Sequence, residues 1–176
     1  PLYSSAASDV YKRQEYTEMG KQSLGYGDFV SEDEVPYGKA NKFDEIAFKS
    51  ANANFDKAIR LCPTYTPAYV GKAHLLYSVG EAEEAECLYK KALEAVPNSF
   101  EVHLALGNLY SDLKDVQEAI KSYKRAIKAD KKAPQPYEAL AGIFGRMGLE
   151  DKAEECEEKA ERLRKAQTKS RKKRKK

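Results

Sequence analysis

Residues recur every 34 positions through most of this chain. Ala85, Tyr89, Ala92 and Pro97 return as Ala119, Tyr123, Ala126 and Lys131, and are preceded by Ala51, Phe55, Ala58 and Pro63. Offsets of four, three and five residues set a small residue, an aromatic, a second small residue and a stop along one side of an α-helix. Ahead of each lies another helical segment: Tyr69, Ala73 and Leu76, then His103, Leu106, Gly107 and Tyr110, then Tyr137, Leu140, Ala141 and Phe144. Gly80, Lys114-Asp115 and Gly148 mark the turns between the two helices of each unit. One amphipathic pair cannot close a core alone, so a chain built this way must stack its units. The predicted class is all-α, an α-solenoid of antiparallel helix pairs. With 41% hydrophobic residues and twelve Tyr among 176, there is enough apolar surface for such a core.

The pattern resembles the tetratricopeptide repeat, with a bulky residue, Leu-Gly and Tyr on a first helix and Ala, an aromatic, Ala and Pro on a second. Three full units align as 66–99, 100–133 and 134–167; the first departs at Lys72, the second at His103 and Lys131, the third at Glu157 and Lys165. The resemblance implies a right-handed superhelix and a peptide-binding surface. Small residues such as Ala73, Gly107 and Ala141 let paired helices approach closely, and Tyr89, Tyr110, Tyr123 and Phe144 fill the remaining space.

The N-terminal part is irregular. Ser4 to Gln14 resembles, codon by codon over eleven residues, the in-frame translation of a sequencing adapter, so residues 1–14 are expected to be a non-native leader, with the true N-terminus missing. Residues 15–63 form a first unit: Tyr16, Met19, Gly20 and Ser23 read as its first helix and Gly27-Asp28-Phe29 as its turn. Its second helix arrives late, implying an insertion at about 30–49; Val30 to Lys42 reads as an acidic loop, and Phe43, Ile46, Ala47 and Ser50 as extra helical turns. Residues 64–165 hold three further units, the last acting as a cap. There Ala153, Cys156, Ala160 and Leu163 make a narrow apolar stripe, and charged residues cover the other faces.

Charge is segregated. Residues 15–161 hold 19 basic and 27 acidic side chains, whereas 162–176 hold ten basic and no acidic ones. Residues 166–176 therefore read as a disordered basic tail in which Lys169, Arg171, Lys172, Lys173, Arg174, Lys175 and Lys176 form a polyanion-binding element for nucleic acid or an anionic surface. No run is long and apolar enough for a membrane span.

Residues that carry chemistry are sparse. Cys62, Cys87 and Cys156 lie far apart with no Cys-x-x-Cys pair and no His at ligand spacing, which gives no metal site and fits a reducing compartment, the cytoplasm or, in a eukaryote, the nucleus. No nucleophile comes with a recognisable base, so no catalytic residue, cofactor or small-molecule substrate is expected. Gly25-Tyr26-Gly27 is too short for a phosphate loop, and the run Gly142 to Gly148 lacks the preceding strand and the Lys-Ser/Thr such a loop needs. Gly142 and Gly145 nevertheless fall inside a predicted helix. Close packing is one reason for them, and a smooth patch that admits a ligand backbone is another.

The expected function is that of a non-enzymatic scaffold binding a partner polypeptide. Its groove is assigned to Val70, His74 and Tyr77, to Glu101, Leu104, Asn108, Ser111 and Asp112, and to Glu138, Gly142 and Arg146. Members of the resembled family that grip chaperone C-terminal carboxylates use Lys and Asn on one unit, Asn on the next, and Lys and Arg on a third. Only Asn108 matches: Val70 and His74 stand in place of the first pair, and Glu138 and Gly142 in the region of the last. That ligand class is therefore not expected. Two alternatives are a nucleic-acid- or ribosome-associated protein attached by its tail, and the regulatory arm of an enzyme encoded upstream.

Overall fold

The computed structural model describes residues 12–19 and 45–174, which fall into two compact units, Pro1–Pro97 and Asn98–Lys176. In the first unit residues 12–19 are helical (α1), followed by α2 (Glu45–Leu61), α3 (Thr66–Ser78) and α4 (Ala82–Ala95). The second holds α5 (Phe100–Asp112), α6 (Val116–Ala129), α7 (Gln135–Arg146) and α8 (Glu150–Arg174). The described residues contain helices and no strand, so the fold is all-α. Helices α4, α6 and α8 begin 34 residues apart, at Ala82, Val116 and Glu150, which is the sequence period realised in space.

The repeated small and aromatic residues form the core. Ala51, Phe55, Ala58, Ala85, Tyr89, Ala92, Ala119, Tyr123 and Ala126 are all buried, while Pro63, Pro97 and Lys131 stand exposed where the helices stop. At Gly107 the need for a small residue is steric: a Cβ there would lie 2.5 Å from Cε1 of Tyr123. Gly71, which the aligned stripe leaves out, meets the ring of Phe55 in the same way, at 2.5 Å. The stripe also leaves out Leu75, Leu109 and Ile143, all buried. Helix α3 packs on both α2 and α4, and α7 on both α6 and α8, so these first helices are covered on two sides.

The turns repeat as well. Leu76, Tyr110 and Phe144, equivalent residues near the ends of α3, α5 and α7, accept backbone hydrogen bonds from Glu81, Asp115 and Leu149 at 3.0, 2.8 and 2.9 Å. This closure needs a residue with positive φ, supplied by Gly80 at 90°, Lys114 at 62° and Gly148 at 71°. Asp115 then caps α6 by accepting from the Glu118 amide at 3.2 Å.

Both ends of the described chain bear on the sequence reading. Lys12, Arg13 and Gln14 of the expected leader lie on α1, where the Arg13 guanidinium sits 3.1 Å from Cys62 Sγ and 5.2 Å from the Tyr65 ring centre. The tail expected to be disordered is helical as far as Arg174. Lys, Arg and Gln are good helix formers, and positive charge is favourable at a helix C-terminus. Arg162–Glu158 and Lys165–Glu161 ion pairs add i,i+4 support, and the Gln167 side chain donates to the Lys132 carbonyl at 3.1 Å. Helix α2 starts three residues earlier than the period requires, so Ile46 and Ala47 do add a turn. Gly20 to Phe29, the acidic loop and Phe43 lie outside the described residues, as do residues 1–11.

Two stability measurements check this packing. Gly107→Leu overfills the space beside Tyr123 and lowers stability by about 1–3 kcal/mol; an unchanged melting temperature would mean that the helix register is wrong. Lys114→Gly relieves a left-handed backbone and raises stability by roughly 0.5–1 kcal/mol in chemical denaturation, the larger entropy of an unfolded glycine limiting the gain.

Candidate functional site

Helical spacing puts each group of predicted groove residues on one face of a first helix. In the first unit Val70, His74 and Tyr77 lie at i, i+4 and i+7 on α3 and are half-buried. The His74 ring makes an edge contact with Tyr89, its centre 6.2 Å away, so α4 fixes this imidazole from below.

In the second unit Glu101, Leu104, Asn108, Ser111 and Asp112 lie on α5, and Glu138, Gly142 and Arg146 on α7. None is a core residue: Glu101, Asp112, Gly142 and Arg146 are exposed and the others intermediate. The polar members are held by neighbours. Tyr123 donates its hydroxyl hydrogen to Asn108 Oδ1 at 2.8 Å, so the aromatic that packs on Gly107 also orients Asn108. Arg146 Nη2 donates to Ser111 Oγ at 3.4 Å, which brings α5 and α7 together at one place on this face. Glu101 Oε2 accepts from Ser99 Oγ at 3.0 Å, and Ser99 is itself the N-cap of α5. Leu104 packs against the cluster around Tyr123 and Leu140.

Glu138 is not a bare acid. Arg164 of α8 places Nε 2.6 Å from Glu138 Oε1, an ion pair from a residue that groove assignment by first helices alone misses. Arg164 lies on the second helix of the last unit, 134–167, and so outside a search restricted to first helices. Arg146 and this pair leave Glu101 and Asp112 as the exposed acids of the set.

The two glycines of α7 are not explained by packing. A Cβ on Gly142 would meet only Arg146 Nη1, at 3.6 Å, and one on Gly145 would have open space around it. A further cleft of about 490 Å³ lies between α7 and α8, lined by the apolar Tyr137, Phe144 and Cys156 and by charged residues of both signs, Lys152, Lys159 and Arg162 with Glu155 and Glu158.

The basic residues of the tail are on α8 up to Arg174. Lys169 is exposed, Arg171, Lys172, Lys173 and Arg174 continue the helix, and Lys175 and Lys176 lie outside the described residues. The three cysteines are free thiols. Burial pushes the Cys156 thiol up, with the Glu155 charge adding to it. At Cys62 burial also acts upward, but hydrogen bonds with Thr64 and Arg13 outweigh it and lower the thiol's pKa. Among the described residues no helix is long and apolar enough to cross a membrane.

Comparison with known proteins bears on this arrangement. Residues 70–134 match the tetratricopeptide-repeat family model. The chain is similar to MamA from Desulfovibrio magneticus RS-1, residues 41 to the end, with 19% identity and a TM-score of 0.62 over 88% of this chain and 77% of that one. A crystal structure of MamA gives 17% identity and 0.66, covering 95% and 86%. The pilF protein of Pseudomonas aeruginosa gives 21% identity and 0.69, covering 89% of this chain and 63% of that chain. At such identities the likeness is one of fold. The curated proteins give no match. Residues 70–134 thus match the tetratricopeptide-repeat model, and the chain as a whole shares with these solved structures an all-α fold of helix pairs.

Proposed function

We propose that this chain is a non-enzymatic scaffold that holds a partner polypeptide against the exposed face of its first helices. Within the second unit, affinity would come from burial of the half-exposed Leu104 and from hydrogen bonds to the polar groups of α5 and α7. Asn108 and Arg146 are already positioned by Tyr123 and Ser111, which reduces the entropy lost when a partner docks.

Gly142 carries this reading. A glycine inside a helix costs about 1 kcal/mol relative to alanine, and here no neighbour requires it. It leaves a smooth place on an exposed face, where another backbone can lie close to α7. The exposed acids Glu101 and Asp112 favour a neutral or basic segment over a free carboxylate. Gly142→Ala is expected to stabilise the fold by about 1 kcal/mol in thermal or urea unfolding, whereas Gly142→Trp fills the patch. In capture from native extract, partners retained by the original chain should be lost from the Trp variant; full retention would sink the proposal. A chaperone C-terminal peptide should fail to bind at low micromolar concentration by calorimetry. Tight binding that disappears in Asn108→Ala would contradict the exclusion of that ligand class.

A second reading rests on α8. Eight basic residues and no acid between 162 and 174 could hold a nucleic acid through counterion release, with the repeats as connector. Deleting residues 169–176 leaves Arg164 and Gln167 in place and so separates the two. The scaffold keeps its partner, whereas the nucleic-acid reading predicts loss of binding together with its steep salt dependence.

A further inference from the structure

The 34-residue period also shows what is unusual about the outer face of the last helix. In α6, Tyr123 is buried in one cluster with Leu140 and Ile143 of α7, and Val116, Ile120 and Ile127 pack against that cluster. These four residues are the line on which the following helix rests. One period later the same line reads Glu150, Glu154, Glu157 and Glu161, every one of them exposed. Four glutamates cannot seat another amphipathic helix by apolar burial. The outer line of α8 is therefore a strongly acidic, exposed helix face.

The same line then changes sign. Continuing from Glu161 by steps of four, three and four residues, it reaches Lys165, Thr168 and Lys172, with Lys169 beside it. Helix α8 is 25 residues long, against 14 for α6, and the added length carries the basic half. Its other side is fixed to the body. Ala153, Cys156, Ala160 and Leu163 are the less exposed residues of α8, and Arg164 and Gln167 tie it to Glu138 and Lys132. One straight face thus presents an acidic half and a basic half, beside the face that contacts the body.

We propose that this face binds a second copy of itself, with two α8 helices lying antiparallel about a two-fold axis near residue 163. In that register Glu161 faces Lys165 of the second copy and Glu157 faces Lys169, and the symmetry makes each pair twice. A parallel pairing in register would set each of these residues against its own kind, so the charge order selects both direction and register. The antiparallel arrangement also opposes the two helix dipoles favourably. Lys165 already pairs with Glu161 within the helix and would share its charge across the axis. Exposed ion pairs are individually weak, and two helices bury little area, so the association is reversible and sensitive to salt. This inference does not depend on the groove reading.

Sedimentation equilibrium of the full chain is the test. A monomer–dimer equilibrium is expected at low ionic strength, its dissociation constant rising at least about tenfold when the salt is raised to several hundred millimolar. The double variants E157K/E161K and K165E/K169E should each be monomeric alone, and an equimolar mixture of the two should associate again. The single variants Glu157→Lys and Lys169→Glu, which disturb the helix least, should weaken dimerisation separately and restore it when mixed. A chain that stays monomeric at low salt, a dimer that charge reversal leaves unchanged, or a mixture that fails to re-associate would each overturn the proposal. Circular dichroism of every variant confirms that α8 is still formed.

Discussion

Everything else in this structure rests on the contact between a small residue on one helix and an aromatic ring on its neighbour. Gly107 against Tyr123 and Gly71 against Phe55 leave no room for a Cβ atom, and the buried alanines on both sides of each ring do the rest. Close approach buries more apolar area per residue than two ordinary helix surfaces would, which helps units of this size stay packed. It also fixes the rotation of each helix about its axis. Because the faces of a helix are linked by its 3.6-residue period, fixing the buried side determines which residues lie outside.

The link from core to surface is direct at Tyr123. Its ring fills the space beside Gly107 while its hydroxyl, at the edge of the same ring, orients Asn108 on the exposed face. Arg146 reaches back from α7 to Ser111 on α5, and Arg164 from α8 to Glu138 on α7, so later helices steady polar residues of earlier ones. The result is a face whose polar groups are set in place while Gly142 leaves part of it without side chains.

Much of this was legible in the sequence because a period of 34 is a statement about packing. The nine small and aromatic residues chosen from the second helices are all buried, and the turns fall at Gly80, Lys114 and Gly148. Leu75, Leu109 and Ile143 escape a search for one apolar stripe because α3 and α7 are covered on two sides, and the same period carries these residues too. Gly71 is missed for a similar reason, since its partner Phe55 belongs to the preceding second helix. The tail was misjudged because charge density was weighed without helix propensity and without the anchors that Arg164 and Gln167 find on neighbouring elements. Composition describes what a segment would do alone, and α8 does not stand alone.

The most direct test of the central contact is a double-mutant cycle in chemical denaturation between Gly107→Ala and Tyr123→Leu. If the ring is what forbids a Cβ at position 107, alanine should destabilise the chain strongly when Tyr123 is present and far less when it is leucine. The two changes should then couple by about 1–2 kcal/mol. Additive effects would show that Gly107 and Tyr123 do not share a contact, and the placement of the exposed face that depends on their packing would fall with it.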